Sequence, residues 1–195
     1  MGKYKRRSSD LPVKQRRVWT VLCLILVWTA ALVFRISVDK FFPLEHQELI
    51  KQYCAEFALK DYGLDEYHIA AVINTESRFN EEAESRMGAV GLMQVLPATG
   101  AWAAEKIGME DYSQEQLWKP EVNIRIGCWY LSYLCKMFDG DLRKVFAAYN
   151  AGPGNVKEWI EENGELVNIE HSETQNYLVR VEKRYEMYKR LYDVF

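Results

Sequence analysis

Residues 76–99 read ESRFNEEAESRMGAVGLMQVLPAT, and this stretch is more informative about fold and chemistry than any other part of the chain. It follows a segment in which Ile69, Val72 and Ile73 recur at helical spacing, and position 76 is the next on that stripe. Glu76 is therefore predicted to point towards the core or a cleft wall, where loss of water raises the pKa of a carboxyl group. The alternative is a helix end at which Glu76 simply meets water.

The second half of the stretch combines glycines with an apolar and an amide side chain. Gly88 and Gly91 permit positive φ angles and let the backbone approach a ligand closely. Met93 is interpreted either as a soft apolar contact for a ligand or as core filler. Gln94 carries an amide that both donates and accepts hydrogen bonds. The glycines predict irregular structure over residues 79–96.

Outside this stretch, apolar residues recur at helical spacing and the alternation typical of β-strands is nearly absent. Asp65 is placed to cap the helix that ends near Glu76, and Gly63 and Gly140 are placed to end helices. The sequence therefore predicts a mainly α-helical domain that is long enough to bury a core. Further helices are predicted over residues 44–62, 97–107, 121–138, 142–150, 156–162 and 173–192.

Four blocks of the chain, in order, resemble the catalytic domain of the soluble lytic transglycosylase family, a branch of the lysozyme-like superfamily. The family pattern opens with Glu-Ser-x-Phe-Asn, continues with a Ser, and then reads Gly-Ala-x-Gly-Leu-Met-Gln-x-x-Pro-x-Thr. The resemblance covers about residues 60–185, and Glu81 departs from it where the family usually has Pro. Beyond residues 76–99, the matching residues are Asn123, Ile124, Gly127, Tyr130, Leu131, Ala148 to Gly154, Glu173, Thr174 and Tyr177.

The resemblance implies a lysozyme-like helical domain with a deep cleft and with Glu76 as the only catalytic acid and base. Tyr149 and Tyr177 have a second interpretation as core residues, and Glu173 has one as a carboxylate at a helix start. Arg180 is interpreted as a salt-bridge residue. The substrate-binding residues that the resemblance implies are Ser85, Met93, Gln94, Tyr149, Asn150, Glu173 and Tyr177.

The implied reaction cleaves the β-1,4 bond between N-acetylmuramic acid and N-acetylglucosamine in peptidoglycan and leaves a 1,6-anhydro end. It consumes no water and needs no cofactor. A hydrolytic muramidase on the same fold is one alternative, and it would use a second carboxylate such as Glu81, Glu82 or Glu84 to position water. A wall-binding protein without activity is the other alternative.

The N-terminal segment predicts a membrane anchor. Residues 18–34 carry no charge, and extension to Val38 gives about 20 residues, enough to cross a hydrocarbon core of about 30 Å. Seven basic residues and one acidic residue precede it, and such a flank holds an N-terminus in the cytoplasm. We therefore expect a basic cytoplasmic tail (1–17), a transmembrane signal anchor (18–38) and a catalytic domain (39–195) outside the membrane. A signal peptide cleaved near Ala31 is the alternative.

From residue 36 onward the chain has 17 basic and 27 acidic residues. This charge argues against a nucleic-acid partner, because binding of phosphates needs a basic face. The expected partners are peptidoglycan glycan strands and the membrane, and nothing in the sequence points to a protein partner. The cysteines are expected to be free thiols, although a bridge from Cys54 remains possible. Histidines and cysteines do not recur at metal-ligand spacing, so no metal site is predicted.

Overall fold

The computed structural model describes residues 12–160, 164–167 and 169–192, except for the side chain of Val13. The mainly helical fold class is confirmed: β pairing among the described residues is limited to three isolated bridges. The chain divides into two compact units, residues 1–40 and residues 41–195. The α-helices are α1 (Val13–Phe41), α2 (Gln47–Glu56), α3 (Glu66–Glu76), α4 (Pro97–Lys106), α5 (Pro120–Met137), α6 (Leu142–Ala151), α7 (Pro153–Glu158) and α8 (Ser172–Leu191).

The first unit consists mainly of α1, whose apolar side chains are exposed, as in Leu26 at 70% and Trp28 at 69%. Among the described residues, Lys14–Phe41 is the one helix that is long and apolar enough to cross a membrane, with a mean hydropathy of 2.4. Exposed apolar side chains of this kind suit lipid better than water. A signal sequence has the same length and composition. Residues 1–11 of the predicted tail lie outside the described residues.

In the second unit, local signals set most helix ends. The Asp65 carboxylate accepts a 3.0 Å hydrogen bond from the backbone N–H of His68 and caps α3. The predicted helix over residues 44–62 is interrupted, since α2 ends at Glu56 and a 3-10 turn, Leu59–Tyr62, follows. This break buries the Leu59 side chain completely. α7 begins earlier than predicted, and residues 161–163 lie outside the described residues.

The core of this unit surrounds α3. Residues 69–73 of α3 are fully buried, and the helix packs against α2 and α8. α5 packs against α2, α4 and α6, and α6 in turn packs against α7 and α8. Each large apolar side chain buried here contributes about 1.5–3 kcal/mol relative to an exposed one. The helix that ends at Glu76 is therefore held on several sides.

The cysteines are free thiols, as expected, and the bridge from Cys54 that the sequence left open is not formed. Cys54, Cys128 and Cys135 are buried, whereas Cys23 is exposed on α1. Burial raises the pKa of Cys54 to about 12 and that of Cys135 to about 11. These thiols therefore stay protonated at neutral pH and act as small apolar core groups.

Candidate active site

Glu76 is the last residue of α3, and the chain turns sharply directly after it. The backbone N–H of Ser77 donates a 2.9 Å hydrogen bond to the Ile73 carbonyl and closes the helix. Arg78 and Phe79 then take left-handed conformations, with φ of 55° and 62°. Two successive non-glycine residues in this region store backbone strain, which is common at functional sites. The buried Phe79 ring holds the turn in place.

The environment of Glu76 favours its protonated form. Although part of the side chain is accessible, the surrounding protein raises the pKa of Glu76 to about 7. Loss of water is the main cause, and the negative charge of Glu173 adds to it, whereas Tyr177 and Arg180 lower the pKa. The raised pKa agrees with the position of Glu76 on the apolar stripe of α3. A carboxyl group with a pKa near 7 can both donate and accept a proton at neutral pH.

α8 presents three of these neighbours on one stripe, Glu173, Tyr177 and Arg180, at positions i, i+4 and i+7. Tyr177 is 1% exposed, and among the described residues its hydroxyl has no partner with good hydrogen-bond geometry. Burial, together with the charge of Glu76, raises the pKa of Tyr177 well above its usual value. The hydroxyl therefore keeps its proton and can donate to the Glu76 carboxylate, which agrees with its lowering of the Glu76 pKa.

Tyr149, near the end of α6, is fixed by the backbone of Met93. Its hydroxyl donates a 2.8 Å hydrogen bond to the Met93 carbonyl. Burial, and next the charge of Glu76, raises the pKa of Tyr149 well above its usual value. The Met93 side chain is fully buried, and a side chain at Gly127 would overlap its sulfur atom. The structure thus places the Met93 side chain in the core, while its carbonyl positions Tyr149.

Asn150 follows Tyr149 and is bonded to α8. Its side-chain oxygen accepts a 2.8 Å hydrogen bond from the Thr174 hydroxyl. Gly152, with a φ of 85°, then ends α6. Among the described residues the Asn150 amide nitrogen has no hydrogen-bond partner, so it remains available as a donor. Thr174 was not among the predicted site residues, although it belongs to the Glu-Thr pair in the last of the four blocks.

The loop between α3 and α4 uses Ser85 and Gln94 to hold itself together. The Ser85 hydroxyl accepts hydrogen bonds from the backbone N–H groups of Met87 and Ala89, at 3.3 and 3.0 Å. The Gln94 amide nitrogen donates to the carbonyls of residues 83 and 91, at 2.9 and 3.0 Å. Neither side chain forms a hydrogen bond with Glu76 in the described part of the chain.

Asn123 of α5 is a positioning residue whose role the sequence analysis missed. It is 1% exposed, and its side-chain oxygen accepts a 2.7 Å hydrogen bond from the Met93 N–H. Its amide nitrogen donates to the carbonyls of Val90 and Leu117, at 2.9 and 2.8 Å. A side chain at Gly91 would overlap this amide. Asn123 therefore shapes the loop that carries Gln94. The sequence offered one indication of this role, because Asn123 belongs to the second of the four blocks that resemble the family.

The structure brings Tyr149, Tyr177 and Glu173 close enough to Glu76 to interact with it electrostatically. The acidic residues of the loop contribute nothing to the pKa of Glu76, and Glu81 instead lies 2.9 Å from the Nε2 atom of His46. In the part of the chain that the structure describes, no three His, Cys, Asp or Glu side chains converge on a possible metal site.

A separate groove of about 760 Å³ lies along another face of α8. Its lining includes Phe146, Leu178 and Tyr185, together with His68. None of the predicted site residues lines this groove, so it is distinct from the surroundings of Glu76.

Among known protein families, residues 53–172 match the transglycosylase SLT domain. The soluble lytic murein transglycosylase of Escherichia coli K12 is 32% identical over 162 residues, which are 79% of this chain and 24% of that protein. Membrane-bound lytic murein transglycosylase C of Edwardsiella ictaluri is 31% identical over 168 residues, which are 69% of this chain and 45% of that protein.

Solved structures give the same result. An inactive mutant of lytic transglycosylase Slt from Pseudomonas aeruginosa aligns with a TM-score of 0.70 and 34% identity, covering 78% of this chain and 25% of that chain. The 70 kDa soluble lytic transglycosylase of Escherichia coli aligns with a TM-score of 0.68 and 32% identity, with the same coverage. The chain thus spans about a quarter of the length of these soluble relatives.

Proposed function

Since this chain belongs to the transglycosylase SLT domain family, we propose that residues 39–195 form a peptidoglycan lytic transglycosylase. The enzyme cleaves the β-1,4 bond between N-acetylmuramic acid and N-acetylglucosamine and leaves a 1,6-anhydro end. The observation that carries this proposal is Glu76, whose pKa is raised to about 7 mainly by loss of water, with Tyr149 and Tyr177 close enough to interact with it electrostatically. The names of the relatives support the same reaction class.

In the proposed reaction Glu76 acts first as an acid and then as a base. Protonated Glu76 gives its proton to the glycosidic oxygen, and the bond from that oxygen to C1 of the muramic acid breaks. The N-acetyl group of the substrate stabilises the positive charge at C1. The Glu76 carboxylate then takes the proton from the C6 hydroxyl of the same sugar, and that oxygen bonds to C1. The proton on Glu76 is restored, and no water is consumed.

The neighbouring groups have separate roles in this proposal. The Tyr177 hydroxyl donates to Glu76 when the latter is a carboxylate, and this stabilises the state between the two proton transfers. The Asn150 amide nitrogen and the Tyr149 ring orient the N-acetyl group. Gln94 and Ser85 shape the loop that borders the sugars. Loss of water is the main cause of the raised pKa of Glu76, and the negative charge of Glu173 adds to it.

Mass spectrometry of the soluble products from purified cell wall tests the reaction. We expect 1,6-anhydro ends when the full chain is assayed in detergent. Reducing ends in their place would establish a hydrolytic muramidase, and binding to wall without any soluble product would establish a wall-binding protein. Either result contradicts the proposed transglycosylase.

The membrane-bound relatives and the apolar α1 support membrane anchoring of this chain. We propose a single uncleaved span with the catalytic domain on the extracytoplasmic side, because seven basic residues precede the span. Protease added to cells freed of their wall should digest the domain, and the cell-associated protein should keep residues 1–17. A mature N-terminus near Leu32 would contradict the anchor.

A further inference from the structure

A β-turn over residues 80–83 follows the end of α3. The Asn80 carbonyl accepts a 3.3 Å hydrogen bond from the backbone N–H of Ala83, and the Asn80 side chain accepts one from the Glu82 N–H at 3.1 Å. Glu81 therefore occupies the second position of the turn. Both bonds form within the turn, so they do not determine where the turn lies relative to the rest of the site.

This turn is bonded to both parts of the site loop. On one side, the Asn80 N–H donates a 3.1 Å hydrogen bond to the carbonyl of Ser77, the residue directly after Glu76. On the other side, the Ala83 carbonyl accepts a 2.9 Å hydrogen bond from the Gln94 amide. A displacement of the turn is therefore transmitted both to the end of α3 and to the segment that carries Gln94.

The residue at position 81 leaves the turn without a constraint of its own. Pro is favoured at the second position of such turns because its ring fixes φ at about −65°, and the family pattern usually has Pro here. Glu81 has a negative φ, and its N–H donates no hydrogen bond to the described residues, so a Pro would fit. Because a Glu leaves φ free to vary, this turn needs a constraint from elsewhere.

That constraint comes from His46, the residue directly before α2. Its Nε2 atom lies 2.9 Å from a carboxylate oxygen of Glu81. The nitrogen is shielded from water and has no hydrogen bond of good geometry among the described residues, so its attraction to Glu81 is electrostatic. Lone pairs this close to one another would repel, so Nε2 carries a proton. The His46 side chain is only 20% exposed, against 46% for that of Glu81.

His46 is in turn fixed by α2. Its backbone is left-handed, with a φ of 56°, a conformation that His adopts more readily than most residues. Its carbonyl accepts a 3.0 Å hydrogen bond from the N–H of Ile50, whose side chain is fully buried. The contact with Glu81 therefore joins a well-held part of the core to the turn of residues 80–83.

We propose that His46 is a positioning residue of the reaction: its contact with Glu81 holds the turn of residues 80–83, and so keeps Glu76 and Gln94 in the arrangement for catalysis. The proposal rests on the proposed function, since it adds a residue to the same reaction. In this role the Glu81 carboxylate serves the turn and does not position a hydrolytic water.

The test uses His46→Asn in the full chain, in neutral detergent, with soluble glycan strand fragments as substrate. Asn adopts the left-handed backbone as readily as His, but its side chain is too short to reach Glu81. We expect kcat to fall by about threefold to fivefold, because an exposed ion pair is worth up to about fivefold. KM should stay within about twofold of the wild type, because the contact acts on groups of the enzyme and not on the substrate.

Glu81→Pro provides the rescue. Alone it should keep kcat within about twofold of the wild type, because the ring of Pro holds the turn without His46. When Glu81→Pro is already present, His46→Asn should have no further effect on kcat. A His46 that only stabilised the fold would have the same effect with and without Glu81→Pro, since the two substitutions would then be independent.

Arg125→Gln is the matched control. Arg125 forms a 2.8 Å ion pair with Glu56, in which each side chain is 32% exposed, and this pair joins the end of α2 to α5. Its loss should lower the melting temperature about as much as His46→Asn does, while kcat stays within about twofold of the wild type.

Hydrogen exchange of the backbone amides measures the hold on the turn without any need for activity. We expect His46→Asn to speed exchange of the Asn80 and Ala83 amides by about threefold to fivefold. Arg125→Gln should leave the exchange of both amides unchanged.

Three results would overturn the proposal. Unchanged exchange in His46→Asn would show that the contact does not hold the turn. An unchanged kcat in an active chain would reject the positioning role, even if exchange is faster. An equal effect of His46→Asn with and without Glu81→Pro would show that His46 acts through α2 alone. The product analysis is independent: reducing ends, or no product at all, would reject the proposed function, and exchange would still decide whether His46 holds the turn.

Discussion

The Thr174 hydroxyl donates a 2.8 Å hydrogen bond to the side-chain oxygen of Asn150, and this bond joins the end of α6 to the start of α8. α6 carries Tyr149 to the site, and α8 carries Glu173 and Tyr177. The bond therefore aligns the two helices that supply most of the neighbours of Glu76. It also leaves the Asn150 amide nitrogen as the part of that side chain that can meet a substrate.

Asn150→Ala should reduce both activity and stability. Turnover should fall by about 1–3 kcal/mol of transition-state stabilisation, the scale for a lost hydrogen bond in a buried site. The free energy of unfolding should fall by about 1 kcal/mol through loss of the bond to Thr174. Kinetics on purified wall and thermal unfolding measure the two effects.

Thr174→Val is the matched control, because it removes the same interhelix bond and keeps the Asn150 amide. It should lower stability by a similar amount and retain most of the turnover. If Asn150→Ala lowers only the melting temperature and its folded fraction keeps full activity, Asn150 is a structural residue and does not orient the substrate.

Glu76→Gln should fold and lose at least about 100-fold in activity, because the amide can neither give nor take the proton. Clearing of a purified wall suspension measures the activity, and circular dichroism verifies the fold. Activity within about threefold of the wild type would move the acid role to another residue, and Glu173 would be the next candidate.

The local pattern of the sequence was sufficient to predict two features of this site. The stripe of Ile69, Val72 and Ile73 predicted both α3 and the loss of water around Glu76, because helical periodicity alone determines that face. The glycines at 88 and 91 predicted the irregular loop, and both have a φ of 76°.

Contacts between distant parts of the chain could not be predicted in this way. Nothing local indicates that the Tyr149 hydroxyl bonds the Met93 carbonyl, or that Thr174 bonds Asn150. Met93 had two interpretations, because an apolar side chain suits a core and a ligand contact equally. Its packing against Gly127 in the folded protein decides in favour of the core. The break after Glu56 had the same origin, because burial of Leu59 overrode helix propensity.

The rate of cleavage should depend on the protonation of Glu76. Since its pKa is raised to about 7, the acid form predominates below that pH and is lost as the pH rises through it. We expect kcat/KM to fall about tenfold per pH unit above about 7.5. A profile measured from pH 5 to 9 tests this, and a constant rate from pH 6 to 9 would contradict an acid with this pKa.

The same pKa shift predicts how stability depends on pH. The folded state binds the Glu76 proton more tightly than the unfolded state, whose pKa is near the usual 4.5. This contribution to stability is complete below pH 4.5 and is lost as the pH rises through about 7. Glu76→Gln carries no charge, so it should be more stable than the wild type at pH 8 by about 1–3 kcal/mol, with little difference at pH 4.5. Denaturant unfolding at the two pH values tests this, and an equal difference at both would contradict it.

The last prediction concerns where the folded domain begins. The Asn74 amide donates to the Phe41 carbonyl at 3.0 Å and to the Tyr188 hydroxyl at 2.7 Å. The Tyr188 hydroxyl in turn donates to the Pro43 carbonyl at 2.7 Å, and the Tyr192 hydroxyl donates to the Phe42 carbonyl at 2.6 Å. Residues 41–43 are therefore bonded to α3 two residues before Glu76, and to the end of α8.

A domain that starts at Leu44 loses all three carbonyl acceptors, so one N–H of the Asn74 amide and the Tyr188 hydroxyl, both buried, each lose the acceptor they donate to. Each unsatisfied group costs about 1–3 kcal/mol, so this domain should melt roughly 5–15 °C below one that starts at Asp39. Phe42→Ala in the longer domain is the control, because it removes the ring that packs on Tyr188 and keeps every acceptor. If the domain that starts at Leu44 melts no lower than the Phe42→Ala variant, the three hydrogen bonds add nothing to stability beyond the packing of the Phe42 ring. A lower melting temperature with reduced turnover would instead tie residues 41–43 to the position of Glu76, since Asn74 bonds the Phe41 carbonyl and lies two residues before Glu76 on α3.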